Sequence, residues 1–164
     1  MSSFVKDYCI DKMTQKGVDF EEMAEILFDL QKKHMPTLTL ETCREHLDKV
    51  MDKREVQNAI LTGLCLDEAA EKGYMEEPLH EIVSSDDGLY GVDEVLALSI
   101  VNIYGSIGLT NFGFLDKAKP GLIGRINEKI PGRCTTFLDD IVCALIAAGA
   151  SRIAHKDRDN TLDE

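Results

Sequence analysis

The sequence contains five cysteines, Cys9, Cys43, Cys65, Cys134 and Cys143, but no C-x-x-C pair. An odd number, widely scattered, excludes a disulfide framework or a thiolate zinc site and points to reduced thiols in a cytoplasm. No apolar stretch is long enough to span a bilayer; Ile141–Ala150 falls well short. The start, MSSFVKDYCIDKM, has neither a basic region nor a continuous apolar core, so no secretory signal is expected. Positive charge is scarce: 18 Lys and Arg stand against 30 Asp and Glu, a formal net charge of −12. That excess excludes bulk attraction to nucleic acid or to an anionic membrane surface. There is no nucleophile elbow, no P-loop and no serine–histidine arrangement. His34, His46, His80 and His155 lie far apart without ligand spacing. No alternating strand pattern or repeat is present.

What remains reads as helix. With 44% hydrophobic and 29% charged residues over 164 positions, the chain suits one globular domain. Helices are expected from about Ser3 to Lys16, from Asp19, from Thr39, from Arg54 to Glu71 and briefly from Pro78 to Ser84. Asp19 and Glu22 offer a capping box for the second of these. Val92–Tyr104 and Thr136–His155 are apolar on nearly every side, unlike the one-sided stripes of the others. The expected fold is therefore all-α: a single compact multi-helix domain over residues 1–155, with these two as a buried apolar helix pair. Residues 156–164 read as a flexible acidic tail. Apolar surface left over is expected to be covered by self-association in a homo-oligomer.

Both apolar helices open on adjacent acids: Asp93 and Glu94 in one, Asp139 and Asp140 in the other. Between them, Gly105 to Cys134 is glycine-rich and carries Lys117, Lys119, Arg125, Lys129 and Arg133 against Asp116 and Glu128. Carboxylates suit magnesium, which keeps open positions for water or phosphate oxygens. Helix N-termini and basic side chains on a flexible connection suit phosphate. Together they point to metal-assisted phosphoryl transfer to water, with Asp93, Glu94, Asp139 and Asp140 as metal ligands. Lys117, Lys119, Arg125 and Arg133 are then the phosphate-binding candidates. A plainer reading stands beside this. First-turn acids stabilise any helix, and Thr136 to Asp139 is itself a capping pattern.

The segments DEVLAL, FLDKAKPG and TTFLDDIVCAL resemble the ordered motifs of the phosphatidylglycerophosphatase A family, most closely its soluble, non-membrane members. The family pattern is an acidic pair at a helix head, then L-D-x-x-K-P, then D-D-I-V. It corresponds here to Asp93 and Glu94, to Leu115, Asp116, Lys119 and Pro120, and to Asp139 through Val142. The resemblance implies a magnesium-dependent phosphatase that removes the terminal phosphate of phosphatidylglycerophosphate in phospholipid biosynthesis. It implies catalytic roles for Asp116, Lys119, Asp139 and Asp140, and admits peripheral contact with a membrane. The hydrophobic spans and the G-T-x-G-S motif of the membrane enzymes are missing, so a soluble phosphomonoester stands beside the phospholipid head group as substrate. Two other functions compete. Glu21, Glu22 and Glu25 follow the E-E-x-x-E spacing of all-α nucleotide pyrophosphohydrolases. A non-enzymatic, metal-stabilised helical regulatory module would use the same fold without turnover.

Overall fold

A helix with no polar side must be covered from all directions, and the C-terminal apolar run sets the architecture for that reason. In the computed structural model, which describes residues 2–162, this run forms α9 (Leu138–Leu162). Every residue from Phe137 to Ser151 is buried. Around it lie α1 (Ser2–Gln15), α2 (Phe20–Gln31), α3 (Leu40–Met51), α4 (Arg54–Glu71), α5 (Leu79–Ser84), α6 (Val92–Val101), α7 (Ser106–Ala118) and α8 (Leu122–Asn127). Helices α2, α3, α4, α6, α7 and α8 all pack directly on α9, while α1 packs on α4. No strand occurs among the described residues, and the protein is one all-α domain.

The covering helices follow the sequence pattern. Asp19 accepts hydrogen bonds from the Glu21 and Glu22 amides at 2.9 and 3.4 Å and starts α2, whose Met23, Ala24 and Leu27 face inward. The Glu22 half of the expected capping box is absent, because that carboxylate is bound by Arg125 on α8. Thr39 caps α3 by accepting from the Thr42 amide at 3.1 Å. On α4, Gly63 is needed for close approach: a Cβ there would collide with the Ile141 side chain and stand 3.2 Å from Phe137 Cβ. Each fully buried Leu, Ile or Val in this core contributes about 1.5–3 kcal/mol. Helix α6 contributes Ala97, Ile100 and Val101 to it, while Val92 and Val95 on its outer side remain exposed.

Two expectations are corrected. The glycine-rich stretch read as a flexible connection contains α7 and α8. Gly108, Phe112 and Leu115, at helical spacing, are the buried face of α7. A Cβ on Gly108 would lie 3.0 Å from Ser151 Oγ and 3.2 Å from Val101 Cγ1, so the glycine lets α7 sit close against α9 and packing overrides its poor helix propensity. The segment expected as a flexible tail continues α9 through Leu162, since no glycine or proline follows Gly149; residues 163–164 lie outside the described part. No described helix is long and apolar enough to cross a membrane.

Candidate metal and phosphate site

The start of α9 is held by a residue far away in sequence. Asp67, buried on α4, accepts hydrogen bonds from the amides of Phe137 and Leu138, each at 3.0 Å. The Cys134 thiol also donates to it, at 3.6 Å. Burial pushes the Asp67 carboxyl up to about 7 in spite of these bonds. Thr136, expected as the local cap, instead donates its hydroxyl to the Val83 carbonyl at 2.6 Å. The helix is thus capped in trans, and Asp139 and Asp140 are free for another task.

Both of those acids are buried, Asp139 at 4% and Asp140 at 3% exposure. Carboxylate oxygens of Asp116, Asp139 and Asp140 lie within 4.8 Å of one another. Asp116 comes from the last turn of α7 and the other two from the first turn of α9. Asp93, in the first turn of α6, is also buried and interacts with Asp140. Burial, then the Asp139 charge, then contacts with Asp116 and Asp93, push the Asp140 carboxyl far above the ordinary range. Burial raises the Asp139 carboxyl too, and Lys119 opposes that rise. Glu94 is exposed, yet burial of its head and the charges of Asp116 and Asp93 raise its pKa, which places it at the outer side of the same cluster.

Lys119 is the balancing cation. Its Nζ donates to Asp139 Oδ2 at 3.1 Å and to Asp116 Oδ1 at 3.2 Å. Burial disfavours the ammonium, but the two carboxylates outweigh it and hold the Lys119 pKa well above the ordinary lysine value. Lys119 ends α7 in the left-handed region, φ 45° and ψ 55°, where its amide donates to the Leu115 carbonyl at 2.8 Å. This turn returns the side chain toward Asp116, three residues back.

The remaining candidates separate. Lys117 is exposed on α7. Arg125 is bound to Glu22, both contacts 2.6 Å, so its guanidinium is committed to α2 and does not serve the acidic cluster. Arg133 Nη2 donates to the carbonyls of Arg125, Ile126 and Glu128, an arrangement that ties down the loop after α8. Two residues not singled out in the sequence belong to the region. One is Asp67; the other is Asp86, in the turn before α6 with φ 53°. Burial, and then the neighbouring Asp93 charge, raise the Asp86 pKa, while Lys129 and Lys119 oppose the rise. A cavity of about 330 Å³ lies beside Asp86, with Lys129, Arg133 and Thr135 among its walls. A signal for Asp67 was present, because it continues the inward stripe of Val56, Ile60 and Leu64 on α4. A carboxylate in an apolar stripe has a partner to find.

Residues 19–155 match the family described as phosphatidylglycerophosphatase A. The chain belongs to that family. Among relatives in the phosphatidylglycerophosphatase A family it is similar to YutG of Bacillus subtilis, an uncharacterised protein. The two are 55% identical over 147 residues, covering 90% of this chain and 89% of YutG. It is also similar to the crystal structure of YpjQ from Bacillus subtilis, with a TM-score of 0.91 at 50% identity over 97% of this chain and 98% of that one. The low temperature requirement C protein from Listeria monocytogenes superposes with a TM-score of 0.90 at 51% identity, over 94% and 97% of the two chains. The phosphatidylglycerophosphatase A match spans α2 to most of α9, and so includes Asp67 and Asp86 as well as the motif acids.

Proposed function

We propose that the protein is a magnesium-dependent phosphomonoester hydrolase of the cytoplasm. It removes the terminal phosphate of phosphatidylglycerophosphate, or of a soluble ester with a similar head group. The observation that carries this reading is the meeting of Asp116, Asp139 and Asp140 within 4.8 Å, with Lys119 as their balancing cation. Buried acids so close together repel one another, and their hard oxygen donors fit a small dication. Asp139, Asp140 and one oxygen of Asp116 would hold the ion, with Asp93 beside Asp140 and Glu94 on the open side. Magnesium, when bound, supplies a Lewis acid that draws negative charge from the phosphoryl oxygens.

The chain's own residues supply the rest. The Lys119 ammonium turns from the carboxylates to a phosphoryl oxygen, whose charge grows during transfer. Asp116, partly exposed, accepts the proton of the attacking water. The water oxygen bonds to phosphorus as the P–O bond to the glycerol breaks; the departing glycerol oxygen takes a proton from solvent, Asp116 gives its own back to solvent, and the products are an alcohol and inorganic phosphate. The cavity beside Asp86 receives the polar head group, next to the Lys129 ammonium. The five cysteines, none in a disulfide, accord with a reducing cytoplasm. The pyrophosphohydrolase reading is weakened: Glu21 is bound by Arg44 at 2.6 and 2.7 Å and Glu22 by Arg125, which leaves Glu25 exposed beside them. A metal-stabilised regulatory module would gather the same acids without turnover, and phosphate release separates it from a hydrolase.

The test is phosphate release from phosphatidylglycerophosphate in mixed micelles, beside a soluble glycerol phosphate ester, with magnesium or with a chelator. Release that needs magnesium and disappears in Asp140→Asn is expected. Release from the soluble ester alone keeps the hydrolase and discards the lipid. Failure of folded, magnesium-supplied protein to act on either substrate overturns the proposal.

A further inference from the structure

Helix α9 carries a second polar region beyond its buried acids. Arg152 and Lys156 lie one turn apart on it, about 18–25 Å along the axis from Asp139 and Asp140 at the usual helical rise. With His46 and Lys49 of α3 they line a cavity of about 350 Å³, whose other walls are Glu45 and Asp48. Asp48 is already paired with Lys6 at 2.7 Å, and Lys49 reaches Asp52 only at 3.7 Å. No ion pair of Arg152 or Lys156 occurs among the described residues, and Arg152 lies against the Tyr104 hydroxyl. In a chain of net charge −12, two unpaired cations at one cavity stand out from the acidic surface.

The buried polar atoms here are also incomplete. His46 is 5% exposed, and its Nδ1 has no hydrogen-bond partner. The same is true of Arg152 Nε. Buried polar atoms are nearly always satisfied by protein, water or ligand. Two such atoms on side chains that line one cavity mark a place completed from outside the chain. One water occupies about 30 Å³, so the cavity also has room for a polyatomic anion. Burial, followed by the charges of Arg152 and Lys156, lowers the His46 pKa to about 4. The imidazole is therefore neutral near pH 7 and adds hydrogen-bonding capacity without charge.

We propose that Arg152, Lys156, Lys49 and His46 form a second anion site, distinct from the acidic cluster, for a phosphate dianion that is either free or part of a small phosphomonoester. Arginine offers a planar fork to phosphate oxygens and lysine a mobile point charge. Glu45 is then an acceptor for a hydroxyl of the ester. The site needs neither magnesium nor turnover, so it stands or falls apart from the hydrolase reading.

The experiment is isothermal titration of the full chain with inorganic phosphate and, separately, with glycerol phosphate. Both are run in chelator at constant ionic strength, with chloride as the control. Saturable binding of either phosphate is expected in the wild type and in Lys119→Gln. It should weaken at least tenfold in the Arg152→Gln/Lys156→Gln double variant and to a smaller extent in Lys156→Gln, which alters only an exposed side chain. Tighter binding of the ester identifies it as the ligand; equal or tighter binding of phosphate identifies the free ion. The absence of saturable binding, heats reproduced by chloride, or an unchanged affinity in both cavity variants would falsify the proposal. Loss of binding in Lys119→Gln would instead move the phosphate to the acidic cluster and overturn it equally.

Discussion

Lys119 Nζ stands 3.1 Å from Asp139 Oδ2, and this contact joins the end of α7 to the start of α9. The lysine offsets a buried carboxylate in the free protein, and in the proposed hydrolase it would also be the donor to phosphate. Read from the sequence alone, as an exposed phosphate-binding head, its loss should leave folding little changed. The burial of Asp139 alters that expectation.

Lys119→Ala should lower kcat/KM by about 2–4 kcal/mol in transition-state free energy, as expected for losing a donor to a developing anion. It should also lower the stability of the metal-free protein by about 1–3 kcal/mol, because a carboxylate is left buried without its cation. Magnesium should restore the stability and not the activity. Denaturant unfolding with and without magnesium, run beside the phosphate-release assay, separates the two effects.

Asp140→Asn should stabilise the metal-free protein and abolish metal-dependent turnover. The folded-state pKa of Asp140 is raised, so its contribution is fully present below the unfolded value near about 4 and is lost as pH rises through the folded pKa. In chelator, the wild-type Tm should thus fall as pH increases from about 4 through neutrality. The asparagine variant should show a flatter profile across the same range. Equal slopes for the two proteins would remove Asp140 from the repelling cluster.

Asp67→Asn keeps one acceptor for the start of α9 and sets an amide NH₂ against the other backbone donor. A loss of about 1–3 kcal/mol is expected from an unsatisfied buried group. The Asp67 pKa is raised to about 7, so its contribution to stability is lost as pH rises from the ordinary carboxylate range through 7. The variant should lack that part of the pH dependence. Its magnesium affinity should also fall, since the turn carrying Asp139 and Asp140 loses its anchor. Titration calorimetry with magnesium on thermally stable variant protein measures this directly.

Much of this arrangement was legible in the sequence, for identifiable reasons. The apolar run of α9 could only be a central helix, and acids at its head had to be paired, capped or metal-binding. Family motifs added Asp116 and Lys119, which the fold brings to the same acids. The helices within Gly105 to Cys134 were hidden because glycine lowers helix propensity, and the close packing of Gly108 on α9 is a tertiary effect. Arg125 carried the right charge, but its partner Glu22 lies 103 residues away. Asp86 sits in a turn, and its closeness to Asp93 depends on how α6 docks.

The cap that Asp67 places on α9 spans 70 residues of chain, so the acids of α9 are aimed by a part of the chain that precedes them. During synthesis α4 emerges long before Phe137, so its carboxylate waits for the helix it will start. The signature motifs from residue 91 onward therefore do not make a transplantable cassette: cut from the first half, they keep the acids but lose the anchor that aims them. A ribosome paused before Phe137 holds a chain with no gathered acids, and competence arrives only with the final helix.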